Sequence, residues 1–137
     1  MRLLLDTHVL LWAAAGTLAA ALAELVADED NDLHFSPVSI WEVVIKKSLG
    51  HPDFTVNPTQ LHRGLVANGY RELPITGRAT LQVGTLPDLH KDPFDRLLVA
   101  QAIEEGLTLL TSDRALLGYP GGVLYVPCSQ ANREPPG

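Results

Sequence analysis

Residues 2–6 read RLLLD, a nearly continuous apolar run closed by a carboxylate. The run is too short for a helix and lacks the in–out alternation of a half-exposed strand, so it reads as a strand buried on both faces of a parallel sheet. "LHFSP" at 33–37 and "LTLLTSD", a strand over 107–111, repeat the pattern, while "YRELPI" and "VLYVP" read as further extended segments. Helix-length stretches separate them. "THVLLWAAAG" ends at Gly16, and "LAAALAELVADED" follows it. A third helix starts at Pro37 with Ser36 as its cap and Gly50 as its stop. Residues 58–69, "GRATLQVGTLP" and 92–105 also read as helical, with a short helix around Arg114–Leu117. Strands alternating with helices predict an α/β fold, a three-layer α/β/α sandwich around a mainly parallel central sheet.

A chain of 137 residues suits one domain, expected over 1–127, followed by a polar, proline-rich tail over 128–137. The opening "MRLLLDTHVLLWAAAG" superficially resembles a signal peptide, but Asp6 and His8 interrupt its apolar run. No membrane span is expected. The single cysteine, Cys128, excludes an internal disulfide framework and a multi-cysteine metal site, and a cytoplasmic location is the expectation.

Right-handed crossovers place the C-terminal ends of parallel strands at one edge, outside which ligands bind. Asp6 ends the first strand and Asp113 directly follows "LTLLT", so both carboxylates are expected at that edge. Either would also serve as a turn former or helix cap. Glu42 is more telling. At about 100° per residue, Val38, Ile45 and Leu49 lie about 20–60° to one side of it and Ser39 and Lys46 to the other, so it borders the buried face. Pairing with Lys46 one turn on is the ordinary alternative.

In "HKDPFDRLLVAQAIEEG" (90–106), Pro93 fits the first helical position and makes Asp92 the cap. Asp95 heads the stripe formed by Leu98, Val99, Ala102 and Ile103, and is expected to be buried at the helix start. Asp6, Glu42, Asp95 and Asp113 thus come from four segments and converge on one edge. Packed carboxylates raise one another's pKa and cost stability unless a cation joins them. All-oxygen donors favour Mg²⁺ or Mn²⁺, and such ions serve phosphodiester cleavage. The net charge of −6 argues against a polyanionic partner, less so where several carboxylates surround a cation.

The five histidines, at 8, 34, 51, 62 and 90, show no metal-ligand spacing. His8 is expected to be structural, and His90 to support the loop before Asp92. Arg96 and Lys46 are candidates for phosphate contact, each with an ordinary reading as a surface charge. Trp12 and Trp41 are expected in the core or at a dimer contact.

Four stretches, "LLLDTHVLLW", "SPVSIWEVVIK", "HKDPFDRLLVAQA" and "LTLLTSD", resemble PIN domains in order and spacing, and are most similar to the VapC-type ribonuclease toxins of bacterial toxin–antitoxin pairs. The likeness covers roughly residues 1–118. It implies a compact α/β/α sandwich with an acidic pocket, Mg²⁺- or Mn²⁺-dependent cleavage of RNA, homodimerisation, and a cognate antitoxin whose C-terminal segment covers the active site. Matched by motif, Asp6, Glu42, Asp95 and Asp113 are the family's four acids, and Thr111 is the nearby hydroxyl. Asp6 and Asp95 would be the principal metal ligands, helped by Asp113. Glu42 would orient or deprotonate water, or bind a second ion, and Asp92 would assist.

Two other classes compete. A receiver-like signalling domain also has an acidic pocket at a sheet edge, but it needs a lysine after a late strand, where this chain has "TSD". A non-catalytic PIN scaffold that only binds protein would not require the full acidic set.

Overall fold

The computed structural model describes residues 1–128. Five strands and six helices follow in the order β1 (Arg2–Leu5), α1 (Thr7–Ala15), α2 (Ala20–Ala27), β2 (Asp32–Phe35), α3 (Pro37–Ser48), α4 (Pro58–Ala67), β3 (Arg71–Glu72), α5 (Gly77–Val83), α6 (Pro93–Glu105), β4 (Thr108–Thr111) and β5 (Val123–Tyr125), with a 3₁₀ turn at Arg114–Gly118. The sheet order is β3-β2-β1-β4-β5 and every pairing is parallel. This is the α/β/α sandwich expected from the sequence.

The apolar continuity of β1 has a direct cause. Leu4 pairs in register with His34 on one side and Leu109 on the other, so β1 is central. Its side chains alternate between two cores. Leu4 and Leu109 pack with Leu98, Val99 and Ala102 of α6. Leu3, Leu5 and Leu110 pack with Val9 and Leu10 of α1, Leu22 of α2, and Leu61 and Leu65 of α4. Polar residues in β1 would be buried whichever way they pointed.

Local signals set most element ends. Ser36 Oγ accepts from Val38 N–H at 3.0 Å and caps α3, with Pro37 in the first turn. Gly106 closes α6 in the left-handed conformation at φ 66°, and Leu107 N–H returns to Ala102 O at 2.9 Å. That turn takes Leu107, so β4 begins one residue later than its hydrophobicity suggests. β3 is shorter than "YRELPI", because Tyr70 N–H closes α4 on Leu65 O and Pro74 offers no donor. Among the described residues, no single helix is long and apolar enough to cross a membrane. The tail expected at 128–137 lies, beyond Cys128, outside the described residues.

The chain moves outward from β1 to β2 and β3, then crosses back to place β4 and β5 on the other flank. The C-terminal ends of β1 and β4 therefore border the switch point where such sheets open a crevice. One buried amide holds the elements around it. Gln101 of α6 is 0% exposed, accepts from Ser36 Oγ at 2.5 Å, and donates to Leu73 O at 3.2 Å and Pro74 O at 3.4 Å. Gln101→Ala strands the Ser36 hydroxyl and the Leu73 carbonyl, and is expected to cost roughly 1–3 kcal/mol for each group left unpaired. Urea unfolding with an unchanged slope and a lower midpoint checks this. An unchanged midpoint would remove Gln101 from its place as a linchpin.

Candidate functional site

Each acidic side chain reaches the crevice on a different element. Asp6 follows β1 and caps α1, its Oδ1 accepting from Val9 N–H at 3.0 Å. Its Oδ2 accepts a short hydrogen bond from the Thr111 hydroxyl at the end of β4. The residue is 5% exposed. Burial raises its pKa, against the opposing pull of Thr111, Val9 N–H and His8, and Asp113 adds repulsion.

Asp113 caps the 3₁₀ turn through Oδ1, which accepts from Ala115 N–H at 2.9 Å. Its own N–H donates to Thr111 Oγ1 at 3.0 Å. Thr111 thus ties the two strand-end aspartates together. Asp92 caps α6, accepting from Phe94 N–H at 2.9 Å, as its place before Pro93 predicted. Asp95 lies in the first turn of the same helix and is half-buried, less enclosed than its place on the apolar stripe implied. Its pKa is pushed up to about 8, by burial first and then by Asp92, Asp6, Glu42 and Asp113. Four other carboxylates therefore act on Asp95 here.

Glu42 is more buried than its border position suggested, at 2% exposure. The reason is polar rather than apolar packing. Thr7 Oγ1 donates to Glu42 Oε1 at 2.7 Å and lies 2.9 Å from Ser39 Oγ, so the polar side of α3 is pressed against the start of α1. Lys46 Nζ sits 2.5 Å from Glu42 Oε2 and 3.6 Å from Asp92 Oδ2. Burial works against the Lys46 charge, but the hydrogen bond and attraction of Glu42, then Asp92 and Asp95, outweigh it and hold the ammonium above its ordinary range.

Two expectations change. Arg96 does not face the crevice: its guanidinium donates to Pro87 O at 3.0 Å, Val83 O at 3.1 Å and Tyr119 Oη at 3.2 Å. It closes the end of α5, and a phosphate contact would break those bonds. His90, expected only to support the loop, enters the cluster, with Nε2 3.1 Å from Asp113 Oδ2 and 3.4 Å from Asp95 Oδ2.

Ligand atoms of His90, Asp95 and Asp113 lie within 4.8 Å of one another, a spacing that suits a cation. The tautomer of His90 limits its share. Asp92 N–H donates to His90 Nδ1 at 3.0 Å, and an amide can only donate, so Nδ1 is the acceptor. The proton then sits on Nε2 and is given to the carboxylates. In this orientation His90 offers a donor and the aspartates offer the lone pairs. The sequence clue was the HxD spacing of His90 and Asp92, which only the fold connects to Asp113.

Asp6 and Asp113 also line a cavity of about 890 Å³ that runs past His8 and Trp12 of α1 to Asp53. His8 is exposed on this wall, its ring 5.5 Å from that of Phe54 and 6.0 Å from that of Trp12. Trp12 packs against the core, whereas Trp41 is 57% exposed and meets Phe94 edge-on at 5.3 Å.

The sequence pattern of the PIN domain matches residues 3–121. The chain belongs to the PIN domain family. No curated protein sequence matches it closely enough to count as a relative. Among solved structures, VapBC2 of Rickettsia felis bound to a promoter DNA fragment is similar at TM-score 0.70 and 16% identity, covering 91% of this chain and 98% of that one. DNA-bound VapBC of Salmonella typhimurium gives TM-score 0.66 at 15% identity, covering 91% and 98%. A toxin–antitoxin complex of Klebsiella pneumoniae gives 0.60 at 22%, covering 88% and 94%. At these identities the likeness is one of fold, and it places this PIN chain among proteins of the same architecture.

The carboxylates make stability depend on pH. Asp95 moves from an ordinary 3.8 to about 8, and burial shifts Asp6 the same way. The folded chain therefore holds protons that the unfolded chain has lost, so stability falls as pH rises between those values. In chelator, the melting temperature is expected to drop from pH 5 to pH 8. Asp95→Asn should flatten that slope and raise the melting temperature at pH 8. A flat or rising profile for the parent protein would contradict the shift.

Proposed function

We propose that this chain is a Mg²⁺- or Mn²⁺-dependent endoribonuclease that acts as the toxin of a toxin–antitoxin pair. The observation that carries the reading is the convergence of Asp6, Glu42, Asp92, Asp95 and Asp113 on one crevice of a PIN-family chain, with Asp95 pushed up to about 8. A carboxylate so disfavoured in its charged form suits a site completed by a cation, and the all-oxygen donors fit a hard one. Asp95 and Asp113 would hold it, with Asp6 fixed beside them by Val9 N–H and Thr111.

A bound divalent ion supplies charge to the phosphate oxygens and acidifies an attacking water. The chain supplies the rest. Thr111 and the Val9 amide keep Asp6 from rotating, Asp92 and Pro93 fix the α6 turn that aims Asp95, and His90 holds a proton on Nε2 beside the reacting region. The cavity that runs from Asp6 past Trp12 gives substrate an approach to these residues.

The toxin role rests on likeness to solved toxin–antitoxin complexes, and the RNA substrate on the family resemblance. The partners proposed are RNA, a cognate antitoxin and a second copy of the chain, for which exposed Trp41 is a natural contact; a cytoplasmic location suits all three. A receiver-like role fits poorly. Asp6, at the end of the central strand, is 5% exposed with its oxygens engaged by Val9 N–H and Thr111, which is no place for a phosphoryl acceptor.

Purified protein is expected to cleave structured RNA with Mg²⁺ or Mn²⁺ and to stop in chelator. Asp6→Asn and Asp95→Asn should each lower the rate by at least about a hundredfold, as loss of several kcal/mol of charge stabilisation requires. Expression should arrest growth, and a co-expressed antitoxin or Asp95→Asn should relieve it. Cleavage that persists in chelator would sink the mechanism.

A further inference from the structure

Among the described residues, Lys46 sets a positive charge against the carboxylates of this centre, and its position is closely specified. The i, i+4 spacing on α3 brings Nζ to 2.5 Å from Glu42 Oε2, and it also lies 3.6 Å from Asp92 Oδ2. Two aromatic rings flank it, with the Phe54 centroid at 4.9 Å and the Phe94 centroid at 5.6 Å. Rings at these distances favour a cation and restrain the side chain from swinging out. The other Glu42 oxygen is engaged by Thr7 at 2.7 Å, so both oxygens of this buried carboxylate have protein partners.

Nucleases that use two metals place them about 3.5–4 Å apart, joined by shared carboxylates. Here the acidic groups divide. Asp95 and Asp113 meet at the His90 end, while Glu42 and Asp92 meet at Lys46. A divalent ion bound at the second end would need Glu42 Oε2 at about 2.1 Å, a position the ammonium already contests. We propose that the Lys46 ammonium stands in for a second metal ion, so that the centre binds a single divalent cation, at the Asp95–Asp113 end. This rests on the metal-dependent nuclease reading. It gives Lys46 the part of a positioning residue that holds Glu42 and Asp92 at its own end of the centre, apart from the metal.

Mn²⁺ titration of the full chain, followed by the loss of the free-ion electron paramagnetic resonance signal and by calorimetry, tests this without RNA. The parent protein should bind one ion and Lys46→Met two, whereas Lys46→Arg should stay at one. Should Lys46→Met not fold, Glu42→Gln answers the same question. Its affinity for the one ion should fall less than about tenfold, because Glu42 is not a ligand, whereas Asp95→Asn should lose more than that. Two ions in the parent protein, a count of one in folded Lys46→Met, or a larger loss in Glu42→Gln would each overturn the assignment. No bound ion at all would overturn it together with the nuclease reading, and so separates the two failures.

Discussion

Mutual repulsion among carboxylates is the constraint around which this molecule is organised. Asp92, Asp6, Glu42 and Asp113 all raise the cost of charging Asp95, and Asp113 does the same to Asp6. A fold that merely needed caps and turns would separate them. Here four of the five are pinned instead: Asp6 by Val9 N–H and Thr111, Asp92 by Phe94 N–H, Asp113 by Ala115 N–H, and Glu42 by Thr7 and Lys46. Three of these anchors are helix or turn N-termini, where backbone amides favour negative charge. The same capping contacts that begin α1, α6 and the 3₁₀ turn hold the cluster together.

The sheet makes this possible. With β1 and β4 adjacent, parallel and in register, Asp6 and Thr111 end side by side. Reversal of strand order at that boundary leaves no helix crossing directly above it, which opens the crevice. α6 then brings its first turn to the rim, and α3 brings Glu42 and Lys46 from further along its length. Capping and clustering are therefore the same set of bonds seen from two sides.

How much of this could be read from the sequence follows the range of the interactions. The strands were legible because β1, β2 and β4 are buried on both faces and show it in four or five residues. Caps at Ser36, Asp92 and Asp113 were legible because their partners lie two residues away. Glu42 was only half legible. Helical periodicity ranks residues by apolar neighbours, and its burial comes from Thr7 and Ser39, a polar contact that carries no hydrophobic signal. The contacts of Arg96, and those His90 makes beyond its support of the loop before Asp92, were not legible for a related reason. Their partners, the Val83 and Pro87 carbonyls, Tyr119 and Asp113, are brought in by the packing of α5 and the turn after β4. No local pattern announces where a long side chain will find a carbonyl.

On the nuclease reading, Lys46 sharpens what the net charge of −6 means. A polyanion approaching this crevice meets five carboxylates and a single ammonium that is already bound to two of them. Arg96, the nearest arginine in sequence to Asp95, is turned away and engaged with backbone. Neither side chain is free for a phosphate, and on the nuclease reading a bound ion would supply that positive charge. A protein partner presenting a cationic side chain to the same crevice would satisfy the same carboxylates, and so compete with ion and RNA together.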